Sequence, residues 1–411
     1  MKTNMLLKFS LSNYRSFYNE ASINFRVPET GNNPYIKQIN NEYISKVCFL
    51  YGHNGCGKSN LINALKYIFY ANNGYISSSN DSIKRLLDPN MIYGKYEKSR
   101  FYIEFYSYDE QSLCKYELIL DNENKTIYSE IFIKDNDIIF ERLKSNIVNG
   151  IFKYNDNIPN TNTVLSFFND IQNNHINNTI DKYREESNYY ISLFTNLCFL
   201  FPFTNEADFS SYAIMHAFNY FNKHEVWDTY KKLLNMANID DLNIVDAENN
   251  NDFSFVFDNK KLLSKHDTYS NDFDEVESEG NKVYAINLIY ILYSIMNGTL
   301  SVLDEFNAIQ SELLKLTVSL FKNNTFDDIE KETSQLILST HDITLMSMDD
   351  MELHNYFFIN KENNMSILYS TNDIKKYNKS LNMNDLEFEY RKNNLGIKRK
   401  KIEIPKSIKH N

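Results

Sequence analysis

Apolar positions recur at two different periods along this chain, and the change from one to the other divides it. Leu7-Lys8-Phe9-Ser10-Leu11 and Ala21-Ser22-Ile23-Asn24-Phe25 alternate with period two, which predicts two half-buried strands around the turn Asn13-Tyr14-Arg15-Ser16-Phe17. Val47-Cys48-Phe49-Leu50-Tyr51 is apolar throughout, as a strand covered on both faces would be. Leu61, Ile62, Leu65, Ile68 and Phe69 then recur at the spacing of one helical face, predicting a helix that ends near Asn72-Asn73-Gly74. Between residues 100 and 142, β-rich runs at 101–106, 116–120, 126–133 and 138–140 are separated by Asp, Asn, Glu and Lys turns. They predict an antiparallel meander. From about 165 to 237 the pattern turns helical, with Asn-rich loops such as 173–178, and predicts a helical lobe whose Trp227 and aromatic run 218–221 belong to its core. No apolar heptad is sustained before residue 275, so a long coiled coil is excluded and the insert must be compact.

The last third alternates strand with helix. After the acidic run 272–277, Ser278 is placed to cap a helix over 283–296, and Gly280 keeps its start free of side-chain bulk. Asn297-Gly298 turns the chain into a buried-type strand, 299–305, that ends in Asp304 and Glu305. A helix over 309–322 leads to a second such strand, 335–341, ending in His341. Two strands, 356–359 and 366–369, flank the turn Lys361-Glu362-Asn363-Asn364.

The chemistry lies between the first buried strand and its helix. Gly52-His53-Asn54-Gly55-Cys56-Gly57-Lys58-Ser59 fits the phosphate-binding P-loop in its required strand-loop-helix setting. Glycines let successive backbone N–H groups face a polyphosphate, and the helix N-terminus adds its positive dipole end. Lys58 is placed to reach the β- and γ-phosphates, and the Ser59 hydroxyl to ligate Mg²⁺. Gly52, Asn54, Gly55, Cys56, Gly57, Lys58, Ser59 and Asn60 are thus the expected nucleotide-binding set. A strand ending in Asp304-Glu305 downstream of a P-loop adds a carboxylate for Mg²⁺ and a base for the attacking water. His341 is suited to donate a hydrogen bond to the γ-phosphate or to position the water, and equally to a structural role. Arg15 either faces the nucleotide or holds its turn, and Ser278 with Gly280 make either a second phosphate contact or an ordinary capped helix.

Composition narrows the class without deciding it. With 411 residues and 42% hydrophobic content the chain can bury a real core, and a net charge of −11 argues against a surface that is all nucleic-acid footprint. Cys48, Cys56, Cys114 and Cys198 show neither zinc nor disulfide spacing, which suits a reducing, cytoplasmic setting. No segment reads as a secretory signal or a membrane span, so no membrane partner is expected. The basic end, with Lys398-Arg399-Lys400-Lys401, is either a solvated tail or a contact for nucleic acid or a partner.

The P-loop, the Ser-x-Gly helix start, the Leu-Asp-Glu strand and the Ser-Thr-His strand, in that order, resemble an ABC-type ATPase head of the SMC/RecF kind. Asn13-Tyr14-Arg15-Ser16-Phe17 is similar to the Asn-Phe-Arg-Ser-Phe opening of those heads, and Glu277-Ser278-Glu279-Gly280 to their signature motif. The nearest form it resembles is the compact bacterial ATPases of the RloA or AbiL type, grouped with OLD-family and other abortive-infection ATPases. The resemblance implies an α/β fold: a P-loop head with a mixed sheet flanked by helices, an antiparallel β subdomain and an inserted helical lobe. Head residues would be 1–75 and 271–390, the β subdomain 76–150, the lobe 151–270 and the basic tail 391–411. It further implies that Lys58 and Ser59 bind phosphate and Mg²⁺, that Asp304 binds Mg²⁺, and that Glu305 is the catalytic base. His341 would be the switch histidine, and Ser278 and Gly280 would contact ATP held by another subunit. Where such heads often carry a His-Pro pair this chain has Ser311-Glu312, and no glutamine loop is assigned.

A signature helix far in sequence from the P-loop makes sense if two copies sandwich two ATP molecules, ATP acting as the glue and hydrolysis loosening the pair. The roughly 70 residues after His341 are too few for the Toprim nuclease domain of OLD-type proteins, so any nuclease is expected in trans. The leading expectation is a sensor or scaffold of an anti-phage system with a separately encoded effector. The alternatives are a RecF-like repair ATPase that binds DNA directly, and an ATP-gated scaffold that hardly turns over.

Overall fold

The computed structural model describes residues 4–29, 31–72, 97–108, 110–152, 154, 156–173, 188–193, 199–200, 210–239, 242–246, 260–266, 269–304, 310–323, 333–376, 378–392 and 395. The N-terminal part gives β1 (Asn4–Ser12), β2 (Ala21–Asn24), β3 (Arg26–Val27), β4 (Ile36–Ile39), β5 (Glu42–Ser45), β6 (Val47–Tyr51) and helix α1 (Lys58–Asn72). The meander follows as β7 (Ser99–Ser107), β8 (Ser112–Asp121), β9 (Thr126–Lys134), β10 (Asp137–Leu143) and β11 (Asn146–Asn149). The insert holds α2 (Val164–Asn173), β12 (Phe199–Leu200), α3 (Ser210–Lys223), α4 (Trp227–Asn235), β13 (Leu242–Asp246), β14 (Lys260–His266) and β15 (Tyr269–Asp272). The last part runs α5 (Phe273–Val276), α6 (Glu279–Asn297), β16 (Leu300–Leu303), α7 (Ser311–Ser319), β17 (Gln335–Ser339), β18 (Tyr356–Glu362), β19 (Met365–Ser370), α8 (Thr371–Lys375) and α9 (Met383–Arg391).

A six-stranded sheet in the order β12-β16-β17-β6-β18-β19 carries the site. All its neighbouring pairs are parallel except β18 with β19, which form a hairpin around Asn363 and Asn364, both at positive φ as a tight primed turn requires. Alternation along β6 explains why its run had to be apolar throughout. Cys48 and Leu50 join one core with α1 and the N-terminal strands, while Val47, Phe49 and Tyr51 join a second core with α6 and α7. Each fully buried side chain of this size contributes about 1.5–3 kcal/mol, so a polar residue anywhere in β6 would be costly.

The meander is not a separate body. Its strands continue through β7 into β1 and β2, one antiparallel sheet in the order β11-β10-β9-β8-β7-β1-β2. That sheet is tied to the central one by Gln335, whose amide accepts from Leu6 N at 2.6 Å and donates to the Leu6 and Ser45 carbonyls at 3.0 and 3.1 Å. The insert departs from an all-helical lobe, because β13, β14 and β15 form a three-stranded antiparallel sheet over 242–272. Its strands hold only one to three apolar residues each, too few for a period to show.

Candidate functional site

Parallel pairing brings the site together. Leu338 lies opposite both Phe49 of β6 and Leu303 of β16, and Ser339 lies opposite Leu50, so the three strands end on one edge. From that edge emerge the P-loop, Asp304 and His341. Thr340 N donates to the Leu50 carbonyl at 3.1 Å, which carries the register one residue past β17 and delivers His341 to the P-loop.

The loop is packed against its own scaffold as only glycine allows. A Cβ at Gly52 would collide with the Ile359 carbonyl oxygen and Cys56 Sγ. At Gly57, φ is +118° and a Cβ would collide with Ser366 Oγ. Gly55 and Asn54 sit exposed at the tip, Cys56 is buried beneath them, and Ser59 is half-buried at the start of α1. Ser366 braces the loop from the β18–β19 hairpin: its Oγ reaches the Cys56 carbonyl at 2.5 Å and Ser16 Oγ at 2.7 Å, and its N–H donates to the Ser16 carbonyl. Asn60 completes the brace, donating from Nδ2 to Ser16 Oγ at 2.7 Å and accepting from Arg15 at 3.3 Å. Arg15 has φ of +51° and also lies over the Tyr14 ring, whose hydroxyl is pushed up to about 12 by burial, against the lowering effect of Arg15 itself. Arg15 thus holds its turn and reaches Asn60 beside the α1 start.

Lys58 is buried, and its Nζ donates to the Gly52 carbonyl at 3.0 Å and lies 2.9 Å from His341 Nε2. An ammonium has no acceptor, so this contact requires an unprotonated Nε2 and places the imidazole hydrogen on Nδ1. Asp304 follows β16, and its Oδ1 accepts from the fully buried Ser339 hydroxyl at 2.6 Å. Lys66, further along α1, is lowered by burial, an effect that the charge of Asp304 opposes. Glu305 lies outside the described residues.

Ser278 and Gly280 stand apart from this cluster. Ser278 is exposed and caps α6, its Oγ accepting from Asn281 N at 3.2 Å, and Gly280 is half-buried. Helix α6 packs in the core that holds Val47 and Phe49, whereas α1 packs with Cys48 and Leu50, so the two helices flank opposite faces of the sheet. Sequence reasoning missed the hydroxyls of Ser339 and Ser366. The signal for Ser339 was available: a serine inside a buried-type strand, two residues before His341, must find a partner in the core.

The residues present fit a nucleoside triphosphate with Mg²⁺. The loop offers a cradle a Cβ would fill and a buried ammonium, and Ser59 and Asp304 are hard oxygen donors of the kind Mg²⁺ takes beside phosphate oxygens. Residues 47–347 match the family described as "AAA domain, putative AbiEii toxin, Type IV TA system". The chain belongs to this family. It is therefore a P-loop domain of the AAA ATPase kind, and the match spans the P-loop, the insert, Asp304 and His341. A comparison with curated proteins finds no match. Among the described residues, no helix of this AAA domain is long and apolar enough to cross a membrane.

Proposed function

We propose that this chain is a Mg²⁺-dependent ATPase that pairs with a second copy around ATP and serves as the nucleotide-driven switch of an anti-phage system with a separately encoded effector. The observation that carries the ATPase reading is the convergence of Lys58, His341 and Asp304 on one sheet edge. Lys58 exchanges its bonds to the Gly52 carbonyl and His341 for phosphate oxygens. His341, once released, takes a proton at Nε2 and donates a hydrogen bond to the γ-phosphate. Ser59 and Asp304 hold Mg²⁺, which when bound neutralises charge on the β- and γ-phosphate oxygens. Glu305 orients and deprotonates the attacking water. Ser278, exposed on the far face, and the half-buried Gly280 beside it serve the nucleotide of the partner copy. The family description, with its toxin and TA-system terms, supports the defence role over direct DNA repair.

The test is turnover and self-association of wild type, Lys58→Ala and Glu305→Gln. Glu305→Gln should bind ATP, stop turning over and accumulate as a pair seen by light scattering. Wild-type turnover in that variant removes Glu305 as the base, and no ATP-dependent pairing removes the shared pocket. Salt-dependent DNA affinity gained with ATP alone would point to repair instead.

A further inference from the structure

Glu277, the residue before Ser278, is only 6% exposed, and both its carboxylate oxygens are occupied. Oε1 accepts from the Ser264 hydroxyl at 2.6 Å, and Oε2 accepts from Asn281 Nδ2 at 2.8 Å. Ser264 is fully buried in β14, the middle strand of the insert's small sheet, paired with Leu242 on one side and Asn271 on the other. The connection between sheet and turn is also short and tied. Asp272 caps α5 by accepting from Asp274 N at 3.1 Å, and Glu277 N donates to the Phe273 carbonyl at 3.1 Å. Residues on both sides of Ser278 thus belong to one hydrogen-bonded unit anchored in β14. A buried carboxylate is expensive to desolvate unless its oxygens are bonded, and packing alone would be met by an apolar side chain. What the carboxylate adds is a fixed direction for the exposed turn.

We infer that the sheet β13–β15 is the seat that sets the Ser278 turn for the second copy, with Glu277 and Ser264 as its positioning residues. This rests on the shared-pocket reading above. It gives the insert a function: whatever binds or deforms the small sheet acts on the partner's nucleotide, because the turn it holds serves a pocket in the other copy. The elements that hold them, β14 and the start of α6, pack with the core across the central sheet from α1, so ATP binding to an isolated subunit should be independent of them.

Intermolecular complementation tests this. Each variant, Glu277→Gln or Ser264→Ala, is mixed in equal amounts with Lys58→Ala, and Ser278→Ala with Lys58→Ala is the reference mixture. Every variant alone has two defective pockets. In a mixed pair one pocket combines an intact Lys58 with an intact Ser278 turn. Half the pairs are mixed and one of two pockets works in each, so about one quarter of the wild-type rate should return. Binding of a fluorescent ATP analogue to Glu277→Gln and Ser264→Ala alone should match wild type within about twofold, which a subunit with a generally disturbed fold would not show. Recovery in the Ser278 mixture but not in the Glu277 and Ser264 mixtures overturns the inference. Wild-type turnover by Ser264→Ala and Glu277→Gln unmixed overturns it as well. No recovery in the Ser278 mixture removes the shared pocket itself, and this inference with it. Ser264→Ala removes one hydroxyl and creates no charge, so it carries the test should Glu277→Gln fail to fold.

Discussion

Replacing Arg142 by Met should unfold the protein more readily, and the loss should grow with pH. Arg142 and Glu130 are both fully buried between β9 and β10. The Arg142 guanidinium donates to the carbonyls of Asn162, Ile158 and Pro159 at 2.5, 3.3 and 2.9 Å, and its Nε to that of Lys144. Glu130 accepts from Tyr116 OH at 2.9 Å and from Val164 N, the first residue of α2, so the pair clamps α2 and the segment before it onto the meander. Burial already pushes the Glu130 carboxyl up, against the lowering effects of Arg142, the Val164 N–H and Tyr116. Without Arg142 the folded value rises further. A folded pKa above the unfolded one means the native state holds the extra proton, so stability falls as pH climbs above the ordinary 4.5 toward the folded value. Breaking a buried pair costs about 3–5 kcal/mol when the remaining group stays charged. At pH 8 that full loss is expected. As the pH falls the loss should shrink, down to about 1–3 kcal/mol once the carboxyl holds its proton, from the carbonyls that lost their donor. Urea unfolding at pH 5 and pH 8 measures the difference. Equal losses at pH 5 and pH 8 would refute the argument that the ionised carboxylate is what Arg142 holds.

Gly57→Ala should abolish nucleotide binding while leaving the fold intact, since its φ of +118° and its contact with Ser366 strain the loop by about 1–3 kcal/mol; titration of a fluorescent ATP analogue and far-UV circular dichroism together check this. Ser339→Ala should raise the Mg²⁺ concentration needed for half-maximal turnover by about 10–100-fold, as loss of a hydrogen bond to a metal ligand does, with Ser339→Thr restoring it; a Mn²⁺ titration followed by electron paramagnetic resonance gives the same shift without turnover. His341→Ala should lower the turnover number by about 10²–10⁴-fold while ATP affinity holds or improves, because Lys58 then loses a competing partner; an unchanged turnover number would make His341 a structural residue.

The central sheet was legible because its strands are parallel and buried. Such strands are mostly apolar, so 47–51, 299–305 and 335–341 announced themselves, and residues just after them had to share an edge. The hairpin at Asn363-Asn364 and the Ser278 cap were equally readable, since each is fixed by local backbone chemistry. The reading failed where the cause was not local. In the sheet β13–β15, β14 pairs with β13 from Leu242 with Ser264 to Asp246 with Lys260, beyond the reach of a tight turn, and the apolar content of all three strands is slight. The union of the meander with β1 and β2 depends on which edge strand β7 meets. The Ser366 brace joins residues some 350 positions apart, and no period in the sequence reports such a contact.

The order of the strands has a consequence for how the pocket responds to its ligand. β17 lies between the P-loop strand β6 and the Asp304 strand β16, and its end with the two residues after it makes two contacts: Ser339 donates to Asp304, and His341 meets Lys58. Those side chains are two residues apart, so they point to the same side of an extended backbone. A polyphosphate that drew Lys58 away from His341 would therefore act on the stretch of chain that also holds Asp304. The Thr340 N–H bond to the Leu50 carbonyl ties that strand end to β6. The segment after His341 is a 3-10 turn, Ile343–Ser347, capped by Asp342, whose carboxyl lies below the usual range because the Ser311 hydroxyl and the Thr344 N–H and hydroxyl outweigh burial. Ser311 opens α7, the helix after the Asp304 strand. The residue after His341 is thus hydrogen-bonded to the start of α7, the contact through which a change at His341 would pass to that helix.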